Sequence, residues 1–391
     1  MKKIGLLGKI IIAIIIGVAI GSFAPEWIVR IGATFNELFG NFLSFIIPFI
    51  IIGFIAPGIG AMGRGAGKLL GLTGLIAYIS TIVSGLIAYF IATMLYPTLL
   101  KGQSVTTLAD PSEGLSATFF ELEMPPLMDV MTALLIAFVI GLGIAAIKGN
   151  TLLNVMDEFQ EIVQLVIEKV IIPLLPFHIF GIFANMTAAG QVTTILSVFA
   201  KVFIMIILLH IFILIVQYSA AGSISKQNPF RMLRKMMPAY FTALGTQSSA
   251  ATIPVTLERT KSLNVRESIA NFNVPLLATI HLSGSTITLV SCALAVIFLQ
   301  GDTITFGSAM SFILLLGVTM IAAPGVPGGA VIAAVGLLES MLGFDQAMVT
   351  LMIALYLAQD SFGTACNVTG DGAITSITDS LSNVKKTLRT R

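Results

Sequence analysis

The stretch "GTQSSAATIP", Gly245 to Pro254, decides the fold. It lies inside a segment, 236–257, whose two ends both carry positive charge. Arg231, Arg234 and Lys235 precede it, and Arg259, Lys261 and Arg266 follow it. Basic residues gather in the cytoplasmic loops of membrane proteins. The segment therefore enters and leaves by the same side. Its centre is too polar and too helix-breaking to face lipid, and non-helical backbone at membrane depth is tolerated only inside protein or along a water-filled cavity. The pattern predicts a re-entrant hairpin over 229–257.

The rest of the chain supplies the bilayer. Of its 391 residues, 56% are hydrophobic and only 10% charged, against roughly 25% charged in a soluble domain. A net charge of +2 says little about partners; no nucleic-acid partner and no cofactor are expected. Cys292 and Cys366 form neither a disulfide framework nor a zinc spacing. The start, "MKKIGLLGKIIIAIIIGVAIG", lacks a convincing small-residue cleavage site and is read as a retained first helix.

A spanning helix needs about 20 mostly apolar residues. Candidates lie near 5–24, 39–60, 69–97, 126–147, 158–186, 192–220, 267–299 and 344–378. Lys2, Lys3 and Lys9 place the N-terminus in the cytoplasm. Arg64, Lys68, Lys148 and Lys226 keep the alternation through the sixth helix. The C-terminus carries Lys385, Lys386, Arg389 and Arg391 and belongs inside as well. Only one crossing then fits after helix 267–299, although two apolar segments remain. The segment 309–341 contains "AAPGVPGGA", whose prolines and glycines break a helix. It is the second hairpin. The expected fold is an all-α polytopic membrane protein of the cell membrane, with eight transmembrane helices and two re-entrant hairpins entering from opposite faces. Inverted repeats with broken helices meeting at mid-membrane mark secondary transporters.

The last helix carries the chemistry. "AQDSFGTACNVTGDGA", Ala358 to Ala373, follows "LMIALYLA" with no turn evident between them. At about 100° per residue, Asp360, Thr364, Asn367 and Asp371 share one face, over roughly 16 Å of axis, with Gly363 at its edge. A carboxylate at bilayer depth costs several kcal/mol, and no Lys or Arg occurs between Arg266 and Lys385. The counter-charges are expected from outside the protein: a substrate ammonium, a metal cation or a proton. The helix before the second hairpin holds a polar break, "TIHLSGSTIT", Thr279 to Thr288, with His281, Ser283, Gly284 and Ser285. His178 and His210 lack such company and read as structural. An intramembrane aspartyl protease would need two carboxylates sharing a proton; Asp360 and Asp371 are about three turns apart. A channel would not need an ammonium-binding aspartate beside a hairpin gate.

With "QSSAATIPVT", "TIHLSGST", "GVPGG" and "NVTGD" in this order over essentially the whole chain, the sequence resembles the dicarboxylate/amino acid:cation symporters, which include the glutamate transporter homologues. The resemblance implies a homotrimer working by an elevator movement. Its scaffold would be mainly 1–60 and 126–186. Its transport domain would be mainly 69–97 and 192–380, with hairpin one at 229–257 and hairpin two at 309–341. It also implies roles. Asp360 would take the substrate ammonium. Asn367 would hold the α-carboxylate with backbone groups of Ser248, Ser249 and Val326. Thr364 and Ser285 would line the side-chain pocket. Asp371 would ligate a cation with Asn367 and the His281 carbonyl, and the Thr279 carbonyl and the 320–323 run would serve a second cation. Sodium is the coupling ion implied, with a proton as the alternative.

The departures from the family pattern carry the substrate expectation. Acidic-substrate members of the family place an arginine where this chain has Gly363, and Gln247 stands where prokaryotic relatives often have another. Without a guanidinium, a buried side-chain carboxylate goes unpaired. The expected substrate is a small neutral amino acid of serine, threonine or alanine type. A carrier of acidic amino acids or C4-dicarboxylates would need another cation, such as His281. Ser283 replaces an aspartate that normally ligates a further cation with helix-three residues corresponding to Tyr78 and Thr81. Fewer sodium ions per cycle, or a proton in place of one, are therefore expected.

Overall fold

The computed structural model describes residues 6–63, 68–100, 118–120, 122, 124–190, 192–321, 323 and 327–387. Among these the regular structure is helical, with no strand. The first half comprises α1 (Leu6–Phe23), α2 (Glu26–Gly63), α3 (Lys68–Leu99), α4 (Val130–Ala146), α5 (Thr151–Val166), α6 (Ile172–Ala188) and α7 (Val192–Ser225). A π-helical turn, Ile167–Ile171, joins α5 to α6. Pro173 has no N–H to close a turn on the carbonyl four residues earlier, which favours such a bulge just upstream.

The second half is built from broken pairs: α8 (Pro229–Thr246) with α9 (Ser249–Lys261), α10 (Glu267–Ile280) with α11 (Ser283–Leu299), α12 (Phe306–Ile321) with α13 (Gly329–Leu342), and α14 (Gln346–Leu357) with α15 (Asp360–Thr387). Each break has a local cause. Gln247 ends α8 in the left-handed region at φ 54°, and the Ser248 hydroxyl caps α9 by accepting from Ala251 N–H. His281 and Leu282 are non-helical between α10 and α11. Gly328 turns the chain into α13 at φ 77°. The α8–α9 and α12–α13 pairs pack along each other, as hairpin arms must.

One expectation is corrected. The final segment is not a continuous helix from Leu351 onward: α14 and α15 meet at an angle of 60°. The polar run Gln359–Asp360–Ser361 explains it, because Asp and Ser favour helix starts over helix interiors. The amide of Gln359 turns back on the Leu355 carbonyl, 3.3 Å away. The segment expected over 39–60 also begins earlier, at Glu26, immediately after Pro25.

Five described helical stretches are long and apolar enough to cross a bilayer: Glu26–Gly60, Leu69–Leu99, Thr151–Ala188, Leu196–Ser225 and Glu267–Leu299. The bent α14–α15 pair makes a sixth, while α1 and α4 are shorter apolar helices. This is a multi-pass membrane protein. Two packing groups are visible. In one, α2 packs on α4 and α6, and α1 on α6. In the other, α15 lies among α7, α8, α9, α10 and α11, with α3 against α11. The groups meet where α12, α13 and α14 touch α2, α4 and α6. The Glu267–Leu299 stretch is the most enclosed of the five, with 89% of its apolar window buried. That places the α10–α11 break deep in the protein, where its backbone groups need partners.

Candidate functional site

Those partners come from α15. At the break, α11 begins with free N–H groups and no capping side chain of its own. Asn367 supplies the cap from another helix. Its Oδ1 accepts from Gly284 N–H at 2.7 Å and Ser285 N–H at 3.2 Å, and its Nδ2 donates to Ser285 Oγ at 2.9 Å. A cap of this kind contributes about 1 kcal/mol, and here it also locks α15 to the break.

Asp360 opens α15, one turn before Thr364. Its Oδ2 accepts from Gly328 N–H at 2.8 Å, so the carboxylate is tied to the tip of the second hairpin. Gly328 suits this position twice. Its φ of 77° is left-handed, and an added Cβ would come within 2.7 Å of a Leu357 methyl. At the first hairpin tip, Gln247 Nε2 donates to Ser361 Oγ at 2.8 Å. Both tips are thus fastened to consecutive residues of α15.

Between the tips and the break lies a polar cleft lined by Gln247, Ser249, Ser285, Tyr356, Asp360, Thr364 and Asn367, with apolar walls from Ala278, Leu282, Ala323 and Ala330. Its space open to water centres is about 30 Å³, which accommodates roughly two waters. A larger occupant needs more room than this arrangement leaves. Among the described residues, one carboxylate and no cationic side chain line the cleft.

The structure brings together Ser249, Ser285, Asp360, Thr364 and Asn367 from the expected substrate set. Ser248 sits beside the cleft as the α9 cap. Gly363 is buried behind it, where an added Cβ would rest 3.5 Å from Ser285 N. Val326 lies outside the described residues, as does Ala322 of the 320–323 run. Of the expected cation ligands, Thr279 is exposed and its hydroxyl turns back on the Leu276 carbonyl at 2.7 Å.

His281 and Asp371 do meet, but through the imidazole. His281 Nδ1 lies 2.9 Å from Asp371 Oδ1, and both side chains are buried. On the other ring edge, Nε2 meets Ser80 Oγ at 3.0 Å. Gln217 Nε2 donates to Ser80 Oγ at 3.0 Å and to Ser283 Oγ at 3.1 Å. The residue of α3 that reaches this region is therefore Ser80. Tyr78 donates to the Leu314 carbonyl and Thr81 to that of Ala77. His210, read from sequence as isolated, also borders the break. Its Nε2 lies 3.0 Å from the Gly284 carbonyl and 3.2 Å from Thr288 Oγ1. His178 makes the structural contact expected of it, bridging to Thr350 at 2.9 Å.

Because Asp371 is buried, losing the imidazole leaves its carboxylate short of a donor. His281→Ala is expected to cost about 2–3 kcal/mol, read as a lower Tm in detergent. His281→Asn, whose amide can occupy the Nδ1 position, should lose less. An unchanged Tm for His281→Ala would show that the contact contributes nothing to stability.

Sequence reasoning missed Ser80, Gln217, Gly328, Tyr356 and Ser361. Gln217 had a signal, as an amide in an otherwise apolar helix, and Tyr356 lies one turn ahead of Asp360. Ser80 had none, because its role depends on how α3 packs.

The sequence pattern of the sodium:dicarboxylate symporter family matches residues 6–381. The serine/threonine transporter SstT of Acinetobacter baumannii strain AYE is 26% identical over 392 residues, covering 97% of each chain, and the same protein of strain AB0057 gives the same figures. A polytopic helical chain with two hairpin tips on a polar last helix, matched along nearly its whole length, belongs to the sodium:dicarboxylate symporter family.

Proposed function

We propose that this protein is a cation-coupled symporter that imports a small neutral amino acid of the serine, threonine or alanine type. The cleft carries the proposal: among the described residues a single carboxylate, Asp360, faces hydroxyls and amides, and no Lys, Arg or His lines it. Residues 324–326 of the nearby tip are Pro, Gly and Val and bring no cation either. Asp360 would hold the substrate ammonium. Ser248, Ser249, Val326 and Asn367 would hold its α-carboxylate, and Ser285 and Thr364 would border its side chain. An acidic substrate would bury a second carboxylate without a partner, which is very unfavourable. The alternative acidic or C4-dicarboxylate reading needed His281 as that partner. The His281 ring instead spends both nitrogens on Asp371 and Ser80, outside the cleft lining. The relatives named above are serine/threonine transporters, which supports the same substrate class.

Around this site we propose eight crossings, counting α1 and α4, and two re-entrant hairpins, α8–α9 and α12–α13, with both termini cytoplasmic. The α1, α2, α4–α6 group would be the scaffold of a homotrimer. The group around α15 would move as an elevator. Sodium is the proposed coupling ion, with Asp371, Asn367, Thr279 and the backbone at His281 as its ligands and a proton as the alternative for one of the ions.

Uptake into proteoliposomes under separate sodium and proton gradients, competed with amino acids and dicarboxylates, tests the reading. Serine, threonine or alanine should compete at least tenfold better than aspartate or succinate. Aspartate or succinate winning over serine would overturn the neutral-substrate proposal. Uptake indifferent to both gradients would overturn the coupling.

A further inference from the structure

Tyr356 has no assigned part in the site, yet its position is unusual. The side chain is 1% exposed and lines the cleft. Its hydroxyl stands close to the Asp360 carboxylate and the Ser285 hydroxyl, yet no hydrogen bond of standard geometry joins it to a described group. Buried Tyr hydroxyls usually find a partner, and leaving one unmade is unfavourable. A hydroxyl left open at the wall of a cleft is available to whatever occupies it.

The neighbouring groups define that partner. Ser285 Oγ accepts from Asn367 Nδ2 at 2.9 Å, which leaves its own proton to donate on the Tyr356 side. Two hydroxyls therefore converge, each able to donate, and the phenol able to accept as well. Such a pair matches a group that both donates and accepts. It does not match a carboxylate, because neither hydroxyl carries the charge needed to neutralise one. Asp360 lies immediately beside it, so a substrate held there by its ammonium presents its β-substituent to this pair.

We propose that Tyr356 is a specificity-determining residue whose hydroxyl, with that of Ser285, takes the β-hydroxyl of the substrate. The inference rests on the neutral amino-acid reading above and narrows it to hydroxy amino acids. A site built to hydrogen-bond a substrate hydroxyl rejects the analogue lacking it, so alanine is the informative comparison.

The full-length chain and its Tyr356→Phe variant are compared in proteoliposomes by their KM for labelled serine and alanine. The wild type should prefer serine about tenfold. Tyr356→Phe should bring the two within about twofold by weakening serine while leaving alanine unchanged. A serine preference that survives in Tyr356→Phe, an equal rise in both KM values, or no preference in the wild type overturns the proposal. Absence of serine uptake by the wild type overturns both this proposal and the neutral-substrate reading; a surviving preference in the variant overturns this one alone. Thermal unfolding without substrate gives an independent check. With no hydrogen bond of standard geometry to lose, Tyr356→Phe should match or exceed the wild-type Tm. A lower Tm would mean that the hydroxyl is bonded within the protein, which also overturns the proposal.

Discussion

Asp360→Asn should reduce uptake of any substrate carrying a free ammonium by about a hundredfold or more, while leaving the protein folded. The two halves of this expectation have separate causes. Asn is nearly isosteric with Asp, and its amide oxygen can still accept from Gly328 N–H, now at 2.8 Å from Asp360 Oδ2. The hairpin tip therefore keeps its anchor. Losing the negative charge at the first turn of α15 removes a favourable dipole interaction of about 0.3–1 kcal/mol, which Tm measurements should detect as a small change. For the ligand the balance differs. An ammonium entering the cleft meets one carboxylate and otherwise neutral groups. Hydrogen bonds between charged groups are worth about 1.5–3 kcal/mol each, and about 1.4 kcal/mol is tenfold in affinity. Loss of about 3 kcal/mol gives the hundredfold. Uptake within tenfold of wild type, at unchanged Tm, would mean that another group holds the ammonium.

The residues whose roles were legible in the sequence are those whose meaning is local. Gln247 and Ser248 were placed in a helix-breaking tip because turn-forming and basic residues mark it along the chain, and the structure ends α8 and starts α9 there. Asp360, Thr364 and Asn367 were grouped by helical phase, and they line one cleft because α15 is regular from Asp360 onward. The bend before Asp360 was not legible, because apolar residues run up to it and no Pro or Gly marks it. Partnerships between distant helices were also hidden. Ser80 and Gln217 converge on His281 from segments far apart in the chain. Nothing in one-dimensional spacing distinguishes Ser80 from its neighbour Thr81, because a single step of about 100° around α3 decides which faces the break. The same holds for Gly363. In sequence it marked an absent arginine. In three dimensions it also forms part of a close helix crossing.

That crossing yields the second large expected effect. Gly284 and Gly363 face each other where α11 starts across α15, and they look equally small on paper. A Cβ built on Gly284 would lie 2.6 Å from the Gly363 carbonyl oxygen and 2.6 Å from Cys366 Cβ. The first of these is backbone and cannot swing aside, so the helices would have to separate. A Cβ built on Gly363 would meet Ser285 N at 3.5 Å and Thr288 Oγ1 at 3.6 Å, which is ordinary contact. Gly284→Ala should therefore cost about 1–3 kcal/mol in overpacking, whereas Gly363→Ala should fall within roughly 0.5 kcal/mol of wild type, as strain-free substitutions do. The functional penalty of Gly284→Ala should exceed its stability penalty. The N–H groups that Asn367 Oδ1 caps belong to Gly284 and Ser285, and pushing α11 away lengthens contacts now at 2.7 and 3.2 Å. Ser285 and Asn367 would both shift in the cleft, and positional errors of about 1 Å at a binding centre cost up to a hundredfold. Uptake by Gly284→Ala should thus fall more than tenfold, and Gly363→Ala should retain most of its uptake. If the two alanine variants behave alike in Tm and uptake, α11 and α15 do not cross as closely as 2.6 Å at Gly284 implies, and the site built on that crossing would have to be redrawn.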